Sequence, residues 1–260
     1  AKPPLTRSTC HGRSFMPRFC LGWPDPSPIA SRGIDPPGAA WINRRMCGRF
    51  AITLPDDAMV NLFDAAPAND LPPVPRFNIC PTQPVAAVVS HDGLRRYGPM
   101  RWGFLPRWYK TPTDGPLLFN ARAETIAQKP AFSDAARRRR CLIPATGFYE
   151  WTKEGDDRLP WFITRSDGAP MVFAGVWQAW NGPEGSRVAS AAIVTTAAVG
   201  GMKDLHDRVP VILEPEDWPL WLGEAGHGAA RLMAPMKDGD LSFKRVSTKV
   251  NSNRSEGPEL

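Results

Sequence analysis

No apolar run of about 18 residues occurs anywhere in this chain, so nothing in it reads as a helical membrane span. Secretion is not expected either: the Phe15 to Trp23 stretch is broken by Pro17 and Arg18, and no signal-peptide apolar core is present. Cysteine is scarce and scattered. Cys10 and Cys20 lie near the start, and Cys47, Cys80 and Cys141 are far apart, with no CxxC and no Cys/His pair at zinc spacing. Disulfides and a structural metal are therefore not expected, and Cys80 and Cys141, in apolar settings, read as small core residues. There is no internal repeat. Acids are almost missing from residues 1–45, which hold eight prolines and seven Lys/Arg against only Asp25 and Asp35, without a sustained apolar period. That segment reads as a disordered or non-native extension, the product of a start mis-assigned upstream of Met46. It accounts for +5 of the formal +6, so residues 46–260 are nearly neutral. Overall charge thus identifies no nucleic-acid binder, and any such function must rest on where individual arginines sit.

What is present is short apolar or alternating segments between prolines and glycines: 49–53, 85–90, 100–104, 141–143, 148–152, 161–164, 171–180, 189–196, 211–213 and 242–246. These predict strands. Helical signals are fewer: 55–63, a turn or two at 123–127, 133–138, 215–222 and 224–233. Many strands with few crossover helices predict one α+β domain over 46–260, strand-rich, with mixed or antiparallel sheets curling into a barrel-like core. Arg95-Arg96 and the run Arg137 to Arg140 read as solvated faces or helix ends. Of ten tryptophans, Trp102, Trp108 and Trp151 lie near polar or glycine-containing segments, where an exposed ring can stack a base.

Met46-Cys47-Gly48-Arg49-Phe50 carries the most chemistry. Initiation at Met46 and removal of that methionine would leave Cys47 as residue one, with an α-amine and a thiol on adjacent carbons. A terminal amine has a pKa of about 7.7–8, so roughly a tenth to a third is neutral near physiological pH, whereas a lysine amine is neutral about one time in a thousand. A neutral amine condenses with an aldehyde to an imine, and the neighbouring thiol closes on the same carbon to a thiazolidine. Three further constellations stand out. Asn120-Ala121-Arg122 lies where an apolar stretch becomes a polar turn. Glu150 lies between Tyr149 and Trp151 on a predicted strand, facing either solvent or core, and an inward face would favour proton transfer near neutrality. Asp204-Leu205-His206-Asp207-Arg208 offers an imidazole that titrates near physiological pH, and an arginine free to pair with Asp204 or Asp207 or to hold a phosphate.

Taken together, residues 46–50, Phe77-Asn78-Ile79-Cys80-Pro81, Trp102-Gly103-Phe104-Leu105-Pro106, Asn120 to Thr125, Gly147 to Trp151, Leu205 to Pro210 and the closing Val246-Ser247 and Val250-Asn251 resemble the SOS response-associated peptidase (SRAP) family, in order and separation. The resemblance implies recognition of abasic sites in single-stranded DNA and their capture as a covalent crosslink. It implies Cys47 as the nucleophile, Asn120 orienting it and the sugar, and Glu150 and His206 as an acid/base pair. By the same resemblance Arg49, Arg122 and Arg208 contact phosphates, while Pro81, Trp108 and Trp151 meet bases. No metal or organic cofactor is implied. A monomer is expected, cytoplasmic and associated with the nucleoid when bound to DNA. Two other functions fit the same residues: a self-processing cysteine peptidase that cleaves before Cys47, and a non-covalent single-strand binding module.

Overall fold

The structure is a computed structural model that describes residues 48–260, apart from the side chain of Glu184. Cys47, Met46 and the extension over 1–45 lie outside the described residues. In chain order the strands are β1 (Phe50–Ile52), β2 (Ala65–Pro67), β3 (Arg76–Ile79), β4 (Pro84–His91), β5 (Leu94–Trp102) and β6 (Asn120–Arg122). They continue as β7 (Arg140–Ala145), β8 (Gly147–Glu154), β9 (Asp157–Arg165), β10 (Met171–Asn181), β11 (Arg187–Ala197), β12 (Arg208–Pro210) and β13 (Leu241–Arg245). The helices are short: α1 (Asp56–Phe63), α2 (Ser133–Arg138), α3 (Met202–Leu205) and α4 (Trp218–Leu222).

Strand-rich segments with apolar residues on both faces must find cover on both sides, and closing a sheet on itself supplies it. Strands β5, β4, β7, β10 and β11 are hydrogen-bonded in sequence, and a parallel pairing of β11 with β5 closes the ring. The closure is local, Ser190 opposite Arg101 and Ala191 opposite Trp102. A second sheet in the order β13-β9-β8-β1-β3 packs beside it. Between them lies one core, with Phe50 of β1 edge-on to Trp102 of β5 and Phe173 of β10, ring centroids 5.0 and 5.8 Å away. The expected α+β, barrel-centred architecture is what is found.

Local departures have physical causes. Arg95 and Arg96 lie within β5, not at a helix end of their own, yet Arg95 still serves one: its guanidinium donates to Phe63 O, the last carbonyl of α1, at 3.0 Å, and pairs with Glu224. Arg140, on β7, covers the Ala136 and Arg137 carbonyls at the end of α2, as cations at a helix C-terminus do. The helix expected over 224–233 is reduced to a 3₁₀ turn at Ala229–Leu232, in a segment punctuated by Gly226 and Gly228 at positive φ. The strand expected at 211–213 begins earlier, as β12, and leaves only an isolated bridge at Ile212. Trp102 is fully buried, its indole N–H donating to Phe119 O at 3.0 Å, and is a core residue with no ring face for a base.

Candidate active site

Asn120 opens β6, which pairs in parallel with β11 so that Asn120 lies opposite Ile193 and Arg122 opposite Thr195. The Trp102-Gly103-Phe104 motif delivers it there. Gly103 has φ 142°, a backbone conformation that side-chain-bearing residues rarely adopt, and it lies under the side-chain ends of Leu117 and Arg101. Phe104 N donates to Leu118 O at 2.8 Å, and Trp102 Nε1 holds the next carbonyl, fixing the chain just before Asn120. On the other flank of β11 runs β12, with Arg208 opposite Ala197. Just before β12, α3 stops at His206, which leaves the helical conformation (φ −156°, ψ 149°).

Asn120 and His206 thus approach from two sides of one strand and line the same cavity, of about 630 Å³. Its wall comprises residues 116–120, Arg122, Thr195 and 206–208. Glu150 is not in that lining. It lies on β8, 4 % exposed, and α3, the helix that ends at His206, packs on β8. The inward face left open by the sequence is therefore the one adopted. The first described residues bridge the two strands: Tyr149 N, next to Glu150, donates to Arg49 O at 3.0 Å, and a Cβ on Gly48 would touch the Phe119 ring, next to Asn120, at 4.0 Å. The residue joined to position 47 therefore lies between the strand that carries Asn120 and the strand that carries Glu150.

The His206 imidazole has two competing partners on one nitrogen. Arg208 N–H donates to Nδ1 at 3.1 Å, which requires an unprotonated Nδ1, while the Asp207 carboxylate, 2.9 Å from the same atom, can only accept from a protonated one. Burial, chiefly, and the Arg208 charge hold the imidazole below its usual range, against the pull of Asp207. The neutral ring at pH 7 accordingly accepts from Arg208 and carries its proton on Nε2, and Asp207 stands ready to accept the Nδ1 proton of the imidazolium.

The three arginines differ. Arg208 is paired two-pronged with Glu124, Nη1 to Oε1 at 2.6 Å and Nη2 to Oε2 at 2.9 Å, and Nη2 also reaches Thr195 O at 2.7 Å. Its partner is thus Glu124, not Asp204 or Asp207. The guanidinium in turn holds the Glu124 carboxyl below the usual range. Arg49 donates to Asn78 Oδ1 at 2.8 Å and to the carbonyls of Val250 and Asn251, with Trp151 5.9 Å from its charge centre. Arg122 is exposed, and its side chain makes no hydrogen bond or ion pair among the described residues. Trp151 is half-buried and donates to Asn251 Oδ1 at 2.6 Å; Trp108 is 60 % exposed, away from the cavity lining; Pro81, just past β3, is half-buried. Among the described residues no cluster of His, Cys, Asp and Glu could hold a metal, and no helix is long and apolar enough to cross a membrane.

Two organising residues escaped the sequence. Asn78, 2 % exposed, uses its whole amide: Oδ1 receives Arg49, and Nδ2 donates to Ser252 O at 2.9 Å and Ser255 O at 2.8 Å. An amide between the apolar Phe77 and Ile79 was the available signal. Glu124 showed only as a member of the Asn120 to Thr125 motif, its pairing hidden because its partner lies 84 residues away.

The SOS response associated peptidase (SRAP) family matches residues 46–253. Among curated proteins, the chain is 34 % identical over 222 residues to "Abasic site processing protein YoqW" of Bacillus subtilis, covering 83 % of this chain and 98 % of that one. It is 33 % identical over 223 residues to "Abasic site processing protein YedK" of Escherichia coli, again covering 83 % and 98 %. Among solved structures, a protein from Bacteroides thetaiotaomicron superposes with a TM-score of 0.70 at 22 % identity, covering 80 % of this chain and 97 % of that one, which establishes likeness of fold.

Proposed function

The chain belongs to the SRAP family, and from that premise we propose that it recognises abasic sites in single-stranded DNA and captures them covalently through Cys47, once that residue is the amino terminus. The observation that carries this reading is the convergence of Asn120 and His206 on one cavity, with Gly48 against its Phe119 wall and Glu150 buried on the adjoining strand. Relatives named abasic site processing proteins over nearly their whole length support the choice of lesion.

The chemistry balances without a cofactor. The abasic sugar opens when a proton reaches its ring oxygen and one leaves its anomeric hydroxyl; the imidazolium form of His206, its Nδ1–H accepted by Asp207, supplies the first from Nε2 and the Glu150 carboxylate accepts the second. The neutral Cys47 amine adds to the aldehyde carbon, water departs to leave an imine, and the thiol adds across the C=N bond to give the thiazolidine. One water is released, and nothing is oxidised or reduced. Asn120 orients amine and sugar. Arg49 and Arg122 meet phosphates; Pro81, Trp108 and Trp151 supply faces for neighbouring bases, a recognition suited to a lesion that has no base to read. Arg208, already paired with Glu124, lies beside His206 and adds a weaker contact.

The test is incubation of protein beginning at Cys47 with an abasic single-stranded oligonucleotide. A species that survives denaturation is expected, with the mass of protein plus oligonucleotide less one water, and it is abolished by Cys47→Ala. Retention of oligonucleotide that is salt-sensitive, non-covalent and indifferent to Cys47→Ala would overturn the proposal.

A further inference from the structure

We propose that Glu124 is a positioning residue: through Arg208 it holds the two flanks of β11 in register and so sets the His206 imidazole relative to Asn120. This deepens the function proposed above and rests on it for the reaction concerned.

The need for such a device is visible in the strands. β6 and β12, which carry or adjoin Asn120 and His206, are three residues each, and among the described residues each pairs with β11 and no other strand. Strands that short have little backbone pairing to resist sliding. Thr195, near the end of β11, is where the two flanks meet: its carbonyl accepts from Ala123 N at 2.8 Å, just after β6, and from Arg208 Nη2 at 2.7 Å, at the start of β12. Glu124 then closes the crossing by gripping both Nη atoms of Arg208. The backbone N–H of the same Arg208 fixes His206 Nδ1, so the orientation of the guanidinium is transmitted to the ring within one residue.

The arrangement is poorly suited to stability alone. Arg208 is 12 % exposed at its side chain, and its Nε–H is buried with no acceptor among the described residues, a penalty that a pair selected for stability would avoid. Placement is what the pair supplies.

Glu124→Gln keeps the shape and removes the charge, which makes it the informative variant. Charged groups facing His206 are Asp207 and Arg208 beside it and Lys203 and Asp204 on α3. From the packed elements come Arg122 on β6, Glu124 just after it, and Glu150 on β8. With Glu124 neutralised, Arg208 stands uncompensated beside the ring, so the His206 titration followed by NMR moves to lower pH. The crosslinking rate falls by about one to two orders of magnitude, as misplacement of a reacting group by an ångström does, and the limb of its pH profile set by loss of the His206 proton moves the same way. An unmoved His206 titration overturns the proposal, as does a rate loss that follows the melting temperature with an unchanged pH profile. Absence of any adduct from the unsubstituted protein would sink the proposed reaction instead, while the NMR titration would still decide the role of Glu124.

Discussion

Each of the two sheets anchors an arginine, and they do it with different chemistry. On the barrel, Arg208 is held by a carboxylate, so its charge is cancelled where it stands. On the five-stranded sheet, Arg49 is held by an amide oxygen and two carbonyls, so it is equally fixed but keeps its charge for a further partner. Two of those acceptors belong to the 3₁₀ turn Thr248–Asn251 of the C-terminal segment, which Asn78 ties down at Ser252 and Ser255 and whose Val250 is fully buried against Ala51 and Tyr149. One side of the molecule is therefore set by an ion pair, and the other by hydrogen bonds from Arg49 and Asn78 to uncharged acceptors, most of them on a strap. Under the proposed function the difference divides the tasks: rigid placement of an acid/base group would fall to the first, and attraction of a phosphate to the second and to exposed Arg122.

Removing residues 248–260 is the severest way to break the neutral side. It uncovers the seat of Val250 and unpairs the buried amide of Asn78, and stability should fall by roughly 3–5 kcal/mol, read as a lower midpoint in urea. Asn78→Ala, which cuts only the tie, should lose about 1–3 kcal/mol, the cost of leaving buried partners unsatisfied. Glu124→Gln on the other side should lose only about 1 kcal/mol, since the carboxylate is half-exposed and salt-screened. An ion-pair variant less stable than the strap deletion would reverse the comparison.

The retained charges can be counted by salt. Each phosphate contact made by a free arginine adds about 0.7 to the slope of log affinity against log salt on a single strand. Arg49→Ala and Arg122→Ala should each lower that slope by about this amount, and Arg208→Ala by distinctly less because Glu124 already neutralises it. Equal losses for all three would show that the Glu124 pair opens when DNA binds.

How far the sequence disclosed this arrangement follows from element length. Long apolar strands such as Met171–Asn181 and Arg187–Ala197, buried almost throughout, show as extended apolar runs between turn residues and were readable. The three-residue β2, β6 and β12 and the four-residue α3 are shorter than the pattern needed to detect them, and these carry or adjoin Asn120, His206 and Arg208. The motif residues were legible as chemistry while the elements holding them were not. Trp102 misled for a related reason: its neighbours Arg101 and Gly103 suggest a surface, but the glycine serves a positive-φ backbone bend beside a buried indole. Partnerships such as Glu124 with Arg208 and Asn78 with Ser252 and Ser255 exist only once the chain has closed on itself.

The smallest expected effect is also the sharpest separator of the two sides, because only a charged anchor responds to pH. His206 is depressed in the folded protein, so the unfolded chain takes up its proton first. Stability is therefore full above about pH 6.5 and declines as pH falls through that value toward the folded pKa, where the loss levels off. Glu124 is also depressed, so its contribution is present above about pH 4.3 and is lost as pH falls through its folded pKa. Urea midpoints measured against pH should thus show two declines for the unsubstituted protein. His206→Asn removes the upper and Glu124→Gln shrinks the lower, whereas Asn78→Ala lowers the whole curve without altering either, since every bond it breaks is made by an uncharged amide. A pH-dependent loss in Asn78→Ala would mean that the strap is held by charge after all, with Glu256, which accepts from Phe77 N, the group to substitute next.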